Sequence, residues 1–265
     1  MGFLIQGVMM KLIFLGTGTS IGIPAIGCSC AVCMSGDARN KRRRASLYVA
    51  AAGVHLIIDT PPDFRDQVLT FKVPRVDALL LTHSHTDHIV GFDDIRRFNI
   101  VQNQIIPVYG VAATLADLIR IFPYVKNLPP PGLAYPRVEL RSITGPFQIG
   151  NMAVEPIPVD HANIPTIGYR LEAGGHVLAY VPDCHHMDDA TIRRLQGVDV
   201  MILDALRPES HPTHFNYEES AAVLQRIGAR QSFITHLGHQ MGHAETQQAL
   251  PPDITVPYDG LTIEL

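Results

Sequence analysis

The sequence predicts a layered α/β protein, and three observations carry that prediction. Apolar runs of strand length alternate with segments of helical character along most of the chain. One strand candidate after another ends in a side chain able to bind a metal ion: Asp59, His83, His161, Asp183, Asp204 and His236. A hydrophobic content of 46% in 265 residues is ample for the core of one large domain, expected to span 1–265. In layered α/β architectures function gathers at one end of the strands, so the six residues are expected to meet there. Each alone has a plainer account, His161 or His236 as a hydrogen-bonded core histidine, Asp59 or Asp204 as a cap or turn residue.

The elements follow in order. Met1 to Val8 is apolar without a basic region or cleavage site, and reads as an upstream extension of a chain naturally starting at Met9 or Met10. Residues 12–15 form a buried-type strand that stops at Gly16-Thr17-Gly18-Thr19-Ser20, where glycine permits a tight turn and close backbone approach. Residues 21–35 carry Gly22, Pro24, Gly27 and three cysteines, an irregular loop that needs a metal or a similar device to order it. The run Lys41-Arg42-Arg43-Arg44 is read as a solvated approach to a strand, with attraction of phosphate as the sharper alternative. Strands at 46–51 and 54–59 are joined by a turn at Ala52-Gly53, and Pro61-Pro62 opens a helix to about residue 71. A strand at 79–81, helical character over 93–100, a strand at 106–109 and a helix over 111–122 come next. Prolines then multiply, and Pro129-Pro130-Pro131-Gly132 is expected to form an irregular rim or lid. The second half reads as strands at 138–143, 147–149, 152–158, 168–171 and 176–181, a helix over 188–195, a strand at 200–203, a helix over 217–227 and a strand at 231–234.

The densest chemistry is His83-Ser84-His85-Thr86-Asp87-His88, at the end of an apolar run from Val76. His83 and His85 are two apart and face the same side of extended backbone, whereas Asp87 and His88 fall in the following turn, so one stretch can serve two adjacent ions. Cys28, Cys30 and Cys33 are too close together for a useful disulfide framework; they look like thiolate ligands, which implies a reducing, cytoplasmic setting. Cys184 has no partner in sequence and is expected to be a small buried residue beside the metal site. A net charge of -4 and a pI near 6.3 give no global pull toward nucleic acid or anionic lipid, and Lys11 and the glycines interrupt any membrane-length span near the start.

The six-residue cluster, followed downstream by His161, Asp183 and His236, resembles the metallo-β-lactamase superfamily over essentially the whole chain. The resemblance implies an αββα sandwich, two mixed β-sheets flanked by helices, with a dinuclear hydrolytic site at its edge. It implies that His83, His85 and His161 hold one ion, Asp87, His88 and His236 the other, and that Asp183 bridges them. A narrower resemblance lies in Gly27-Cys28-Ser29-Cys30-Ala31-Val32-Cys33 together with Thr235-His236-Leu237-Gly238-His239, which is similar to the PhnP-type phosphodiesterases of the carbon-phosphorus lyase pathway. That pattern implies a structural zinc on Cys28, Cys30, Cys33 and His239, in a loop at about 22–36; three thiolates and an imidazole make a closed tetrahedral shell with no position for substrate.

The same family pattern implies an imidazole proton donor after the strand ending at Asp204, for which His214 fits better by position and His211 is the reserve. His214 and Asp87 form the expected catalytic set. Imidazole, carboxylate and water ligation suits Mn²⁺, Zn²⁺ or Fe²⁺, and the resemblance implies manganese for the catalytic pair. The implied activity is hydrolysis of a small cyclic phosphodiester, 5-phosphoribosyl 1,2-cyclic phosphate opened to ribose 1,5-bisphosphate in phosphonate metabolism. The expected partner is that small molecule, with neither membrane nor nucleic acid involved and a homodimer left open. Arg207 or Lys41–Arg44 could face its terminal phosphate. Three alternatives stand beside this reading. A tRNA-processing nuclease of the same fold needs a basic flexible arm, and no Gly/Pro/Lys-rich insertion is seen. Thioester or lactone hydrolases use the same metals. A noncatalytic metal-binding protein of coenzyme biosynthesis shares the cysteine-rich loop but typically lacks the full ligand set, which this sequence retains.

Overall fold

The computed structural model describes residues 10–127 and 133–265. The expected lid at Pro129-Pro130-Pro131-Gly132 and the stretch Met1–Val8 lie outside them. Two mixed sheets of seven strands each are packed face to face. The first contains β1 (Lys11–Gly16), β2 (Ser46–Ala51), β3 (Val54–Ile58), β4 (Ala78–Leu80), β5 (Ile106–Gly110) and β6 (Val138–Ser142), with β14 (Thr262–Glu264) added beside β1. Pairing is antiparallel from β14 to β3 and parallel from β3 to β6. The second contains β7 (Phe147–Ile149), β8 (Met152–Val159), β9 (Thr166–Ala173), β10 (His176–Val181), β11 (Val200–Asp204), β12 (Gln231–Thr235) and β13 (Ile254–Thr255) in that order. It is antiparallel up to β10 and parallel beyond.

Side-chain alternation builds the layers. In β3, Leu56 and Ile58 face the core between the sheets while Ile57 faces outward, and Ala78 and Leu80 of β4 stand opposite Leu79 in the same way. Both faces are buried, which is why these strands read as unbroken apolar runs. Phe14 and Phe233 meet across the central core with ring centroids 5.4 Å apart. Over the first sheet lie α2 (Phe64–Thr70), α4 (Arg96–Gln102) and α5 (Ala112–Ile121), which bury Phe64, Leu115 and Leu118 against Ile57 and Leu79. Over the second lie α6 (Asp189–Leu195) and α7 (Tyr217–Ile227), which bury Ile192, Leu195, Leu224 and Ile227 against Met201 and Leu203. This is the αββα sandwich that the resemblance implies.

Local chemistry sets the helix ends. Asn216 caps α7 through the Glu219 amide and Glu219 returns a bond to the Asn216 amide, while Gly228 closes the helix at φ +66°. The helix after Pro61-Pro62 begins only at Phe64, and residues 93–100 divide between a 3₁₀ turn (Val90–Ile95) and α4. The loop 21–35 contains one helical turn, α1 (Ala31–Met34), capped by the Cys30 sulfur. Helix α8 (His243–Ala249) and strands β13 and β14 have no counterpart in the expected elements, because α8 carries no apolar stripe and the strands are two and three residues long.

The basic run Lys41–Arg44 corrects its expectation at one residue, Arg42, which is no part of a solvated approach. Arg42 is 2% exposed and donates to Thr17 Oγ1 and Pro257 O, each at 2.7 Å, with His243 Nδ1 at 3.3 Å. Lys41 Nζ donates to Cys33 O, Arg43 Nε to Asp66 Oδ2 and Arg44 Nη1 to Asp63 Oδ1. Each of the four cations thus has an acceptor within the protein, and Arg42 alone is withdrawn from solvent. The Gly-Thr-Gly corner allows this: a Cβ at Gly16 would lie 2.0 Å from Arg44 O. Among the described residues no helix is long and apolar enough to cross a membrane.

Replacing Arg42 by Met would strand the Pro257 carbonyl and leave Asp259 without its buried counter-charge. We expect a loss of about 3 kcal/mol, read as a lower urea midpoint; a loss below about 1 kcal/mol would show the guanidinium to be dispensable.

Candidate metal centre

The ends of β4, β8, β10, β11 and β12 converge on one edge of the sandwich. The sheets are joined there, with Ile167 N donating to Thr82 O (3.1 Å) and Tyr169 Oη to Leu81 O (2.6 Å). His83 Nε2 lies 3.0 Å from His85 Nδ1, and His161 Nε2, arriving from the second sheet, lies 3.3 Å from that same atom. Asp87 and His88 sit on the one-turn helix α3 (Thr86–Ile89), so the expected turn is helical. His88 Nε2 is 3.4 Å from Asp87 Oδ2, and His236 Nε2 is 3.5 Å from the same oxygen. Asp183 stands between the two sets: its Oδ2 is 3.1 Å from His88 Nε2, and its Oδ1 is 3.4 Å from His236 Nε2 and 3.8 Å from His161 Nε2. All seven expected ligands of the dinuclear site therefore come together.

A supporting set orients them. Asp59 accepts from the Thr82 amide and hydroxyl, both at 2.8 Å, and from His88 Nδ1 at 2.7 Å. The Thr82 hydroxyl in turn accepts from His83 Nδ1 at 2.9 Å, and Thr213 O accepts from His161 Nδ1 at 2.8 Å. With Nδ1 engaged in all three rings, Nε2 is left facing the centre. Asp59 and Asp204, expected among the metal-capable strand ends, thus support histidines instead. Asp59 and His236 hold φ of +63° and +59°, a left-handed backbone that costs of order 1 kcal/mol or more in a side chain like histidine and recurs at functional sites.

Electrostatics favour a cation. Burial pushes the Asp183 carboxyl up, but His236, His88 and His83 hold it well below the usual carboxylate range. Burial holds His83 well below its ordinary value and brings His161 down to about 4, leaving the neutral imidazoles that metals bind. Burial acts on His88 in the same sense, yet Asp183, Asp87 and Asp59 hold it well above: three carboxylates demand positive charge at that point. His88 Nε2, His236 Nε2 and Asp183 Oδ2 are buried and have no hydrogen-bond partner in the protein. A proton or a divalent ion would satisfy them, and the donor set fits the latter.

His214 lies beside this centre. Its Nδ1 donates to Asp204 Oδ2 at 2.7 Å and lies 3.8 Å from Asp183 Oδ1, and its ring stacks on that of His236 with centroids 4.9 Å apart. His211 is one step farther out, its ring 5.1 Å from that of His214. Cys184 is fully buried there, and its amide donates to Asp204 Oδ2. The Thr82 hydroxyl and Thr213 carbonyl escaped sequence reasoning; a backbone carbonyl has no residue type to betray it.

The second cluster also assembles. His239 Nδ1 is 3.2, 3.4 and 3.8 Å from the sulfurs of Cys28, Cys30 and Cys33. The Cys33 amide and then His239 hold the Cys30 thiol down to about 6, so it is readily a thiolate. Leu237 is tied to the first loop by backbone bonds to Thr17 O and from Thr19 N, which brings His239 over the cysteines.

Comparison with known proteins agrees with this geometry. The family model described as the β-lactamase superfamily domain matches residues 55–237. An octanoyltransferase of Porphyromonas gingivalis is 35% identical over 258 residues, 95% of this chain, which spans about half (51%) of that relative's length. Coenzyme PQQ synthesis protein B of Methylobacterium sp. strain 4-46 is 32% identical, covering 74% of this chain and 72% of its own. The crystal structure of a diphosphatase from the PhnP family superposes with a TM-score of 0.89 at 34% identity, covering 97% of each chain.

Asp59→Asn would remove the carboxylate behind His88 without touching a ligand. We expect divalent-metal affinity to fall about 10- to 100-fold in a chelator competition; unchanged affinity would show that the pair does not tune the site.

Proposed function

The chain belongs to the β-lactamase superfamily, and from that premise we propose that it is a dinuclear metal-dependent hydrolase opening a small cyclic phosphodiester, with 5-phosphoribosyl 1,2-cyclic phosphate as substrate. One observation carries the reading: Asp183 lies between the two expected ligand sets, 3.1 Å from His88, 3.4 Å from His236 and 3.8 Å from His161, with the pair His214–Asp204 beside it. His83, His85 and His161 would hold one ion, Asp87, His88 and His236 the other, with Asp183 between them. Mn²⁺ is proposed for this pair, with Zn²⁺ or Fe²⁺ compatible with the same donors. Bound there, two divalent ions would supply an activated water and neutralise phosphoryl oxygens. Cys28, Cys30, Cys33 and His239 would hold a structural Zn²⁺, consistent with a cytoplasmic, reducing location.

The protein's own groups supply the proton steps. Asp204 fixes His214 through Nδ1–H, so that the ring, when doubly protonated, gives its Nε2 proton to the departing alkoxide and returns to the neutral imidazole. Burial raises Asp87 but His88 and His236 hold it ionised, so it can accept a hydrogen bond from the attacking water. The strained ester of a cyclic substrate has a poor leaving oxygen, and a positioned donor matters most there.

A second reading, hydrolysis of a diphosphate, is favoured by the likeness to a PhnP-family diphosphatase at 34% identity. Manganese-loaded enzyme assayed on 5-phosphoribosyl 1,2-cyclic phosphate and on nucleoside diphosphates decides between them. We expect the higher kcat/KM on the cyclic ester; the reverse order supports the second reading, and turnover of thioesters alone overturns both.

His214→Ala should lower kcat on alkyl phosphodiesters by about 10²- to 10⁴-fold but on bis(p-nitrophenyl) phosphate by less than about tenfold, since p-nitrophenolate departs without a proton. Equal losses would remove His214 from the donor role. Cys30→Ser should lower bound zinc by about one ion per chain and reduce the melting temperature, with the catalytic metals retained; unchanged zinc content by elemental analysis would refute the structural site.

A further inference from the structure

His214 is flanked on its outer side by basic groups that the proton-transfer scheme does not use. His211 lies next to it, and its Nδ1 accepts from the Thr213 amide (3.3 Å) and faces the Thr213 hydroxyl (3.2 Å). With Nδ1 engaged as acceptor, the His211 proton sits on Nε2, which makes a neutral ring a hydrogen-bond donor. Arg207 belongs to the same loop. Its Nη2 donates to Ser210 O at 2.7 Å and its Nε to Glu209 O at 3.3 Å, so carbonyls orient the guanidinium and no carboxylate is among these partners. The charges reach one another: burial lowers the His211 imidazole, and the neighbouring His214, Arg207 and His185 lower it further. By contrast, Arg43 and Arg44 donate to the carboxylates of Asp66 and Asp63, and Arg42 is buried.

We propose that Arg207 and His211 form an anion subsite beside the metal centre, where the substrate's distal phosphate docks while the scissile ester lies over Asp183. The inference rests on the phosphodiesterase reading and deepens it by assigning the residues that hold the distal phosphate. A guanidinium held by backbone carbonyls is oriented in advance yet keeps its charge and its remaining N–H donors, which match the oxygens of a phosphate. The Nε2–H of His211, whose ring adjoins that of His214, adds a further donor. The loop is closed at its base by Leu206 N donating to Phe215 O at 3.0 Å, so the distal group and the proton donor are held in one frame.

The test compares 5-phosphoribosyl 1,2-cyclic phosphate with ribose 1,2-cyclic phosphate, which differ only in the distal phosphate, on manganese-loaded wild type and on Arg207→Ala, Arg207→Gln and His211→Ala. Arg207→Gln keeps a donor for the Ser210 carbonyl and so separates loss of charge from loss of loop shape. We expect the preference for the phosphorylated ester in kcat/KM to fall at least about tenfold in the variants, chiefly through KM. An unchanged preference overturns the subsite. If wild type hydrolyses neither ester, the phosphodiesterase reading fails, and calorimetry still decides the subsite. Ribose 5-phosphate should bind the metal-loaded protein at least about tenfold more weakly after Arg207→Gln, with ribose as the control; equal binding refutes it.

Discussion

Burial of Asp183 is the constraint on which the rest of the site depends. A carboxylate at 1% exposure is tolerated only where positive charge or donors surround it, and here imidazoles from both sheets provide that surrounding. Those imidazoles must in turn be aimed. Each of His83, His88 and His161 has its outer nitrogen bound to a hydroxyl, a carboxylate or a carbonyl, so that the inner one has a single direction. The sandwich supplies such positions because parallel strands of both sheets terminate at the same edge.

The Gly-Thr-Gly corner does for the outside of the site what Asp183 does for its centre. Gly16 and Gly18 let the segment 42–44 lie against β1, and the buried guanidinium of Arg42 gathers Thr17, Pro257 and His243 around it. Thr17 also receives the Leu237 amide, one residue after the expected ligand His236 and two before His239. The cysteine loop, the basic run and the last site strand are thus parts of one packed corner.

Much of this could be read from residues alone. Strands buried on both faces announce themselves as apolar runs, and the expected bounds of 46–51, 147–149, 176–181 and 217–227 coincide with those of the elements. Clustered histidines and cysteines were legible because no ordinary packing role requires so many in so few residues. What escaped was what depends on distance in sequence. Nothing near Arg42 foretells that its acceptors come from Thr17 and from positions more than 200 residues later, and so the run 41–44 reads as a charged surface. Helix α8 escaped because it is mostly polar and is held at its start by a bond from the His243 amide to Asn40 Oδ1. The roles of Asp59 and Asp204 were half visible: their place at strand ends could be seen, but not that each would turn to a neighbouring ring.

The bonds from Ile167 to Thr82 and from Tyr169 to Leu81 bear on how the molecule breathes. They clamp the two sheets at the rim where the expected ligands gather, whereas three of the four outermost strands, β7, β13 and β14, are only two or three residues long. Thermal opening therefore starts at those margins and reaches the clamped rim last, so amide hydrogens there exchange only when the whole sandwich comes apart.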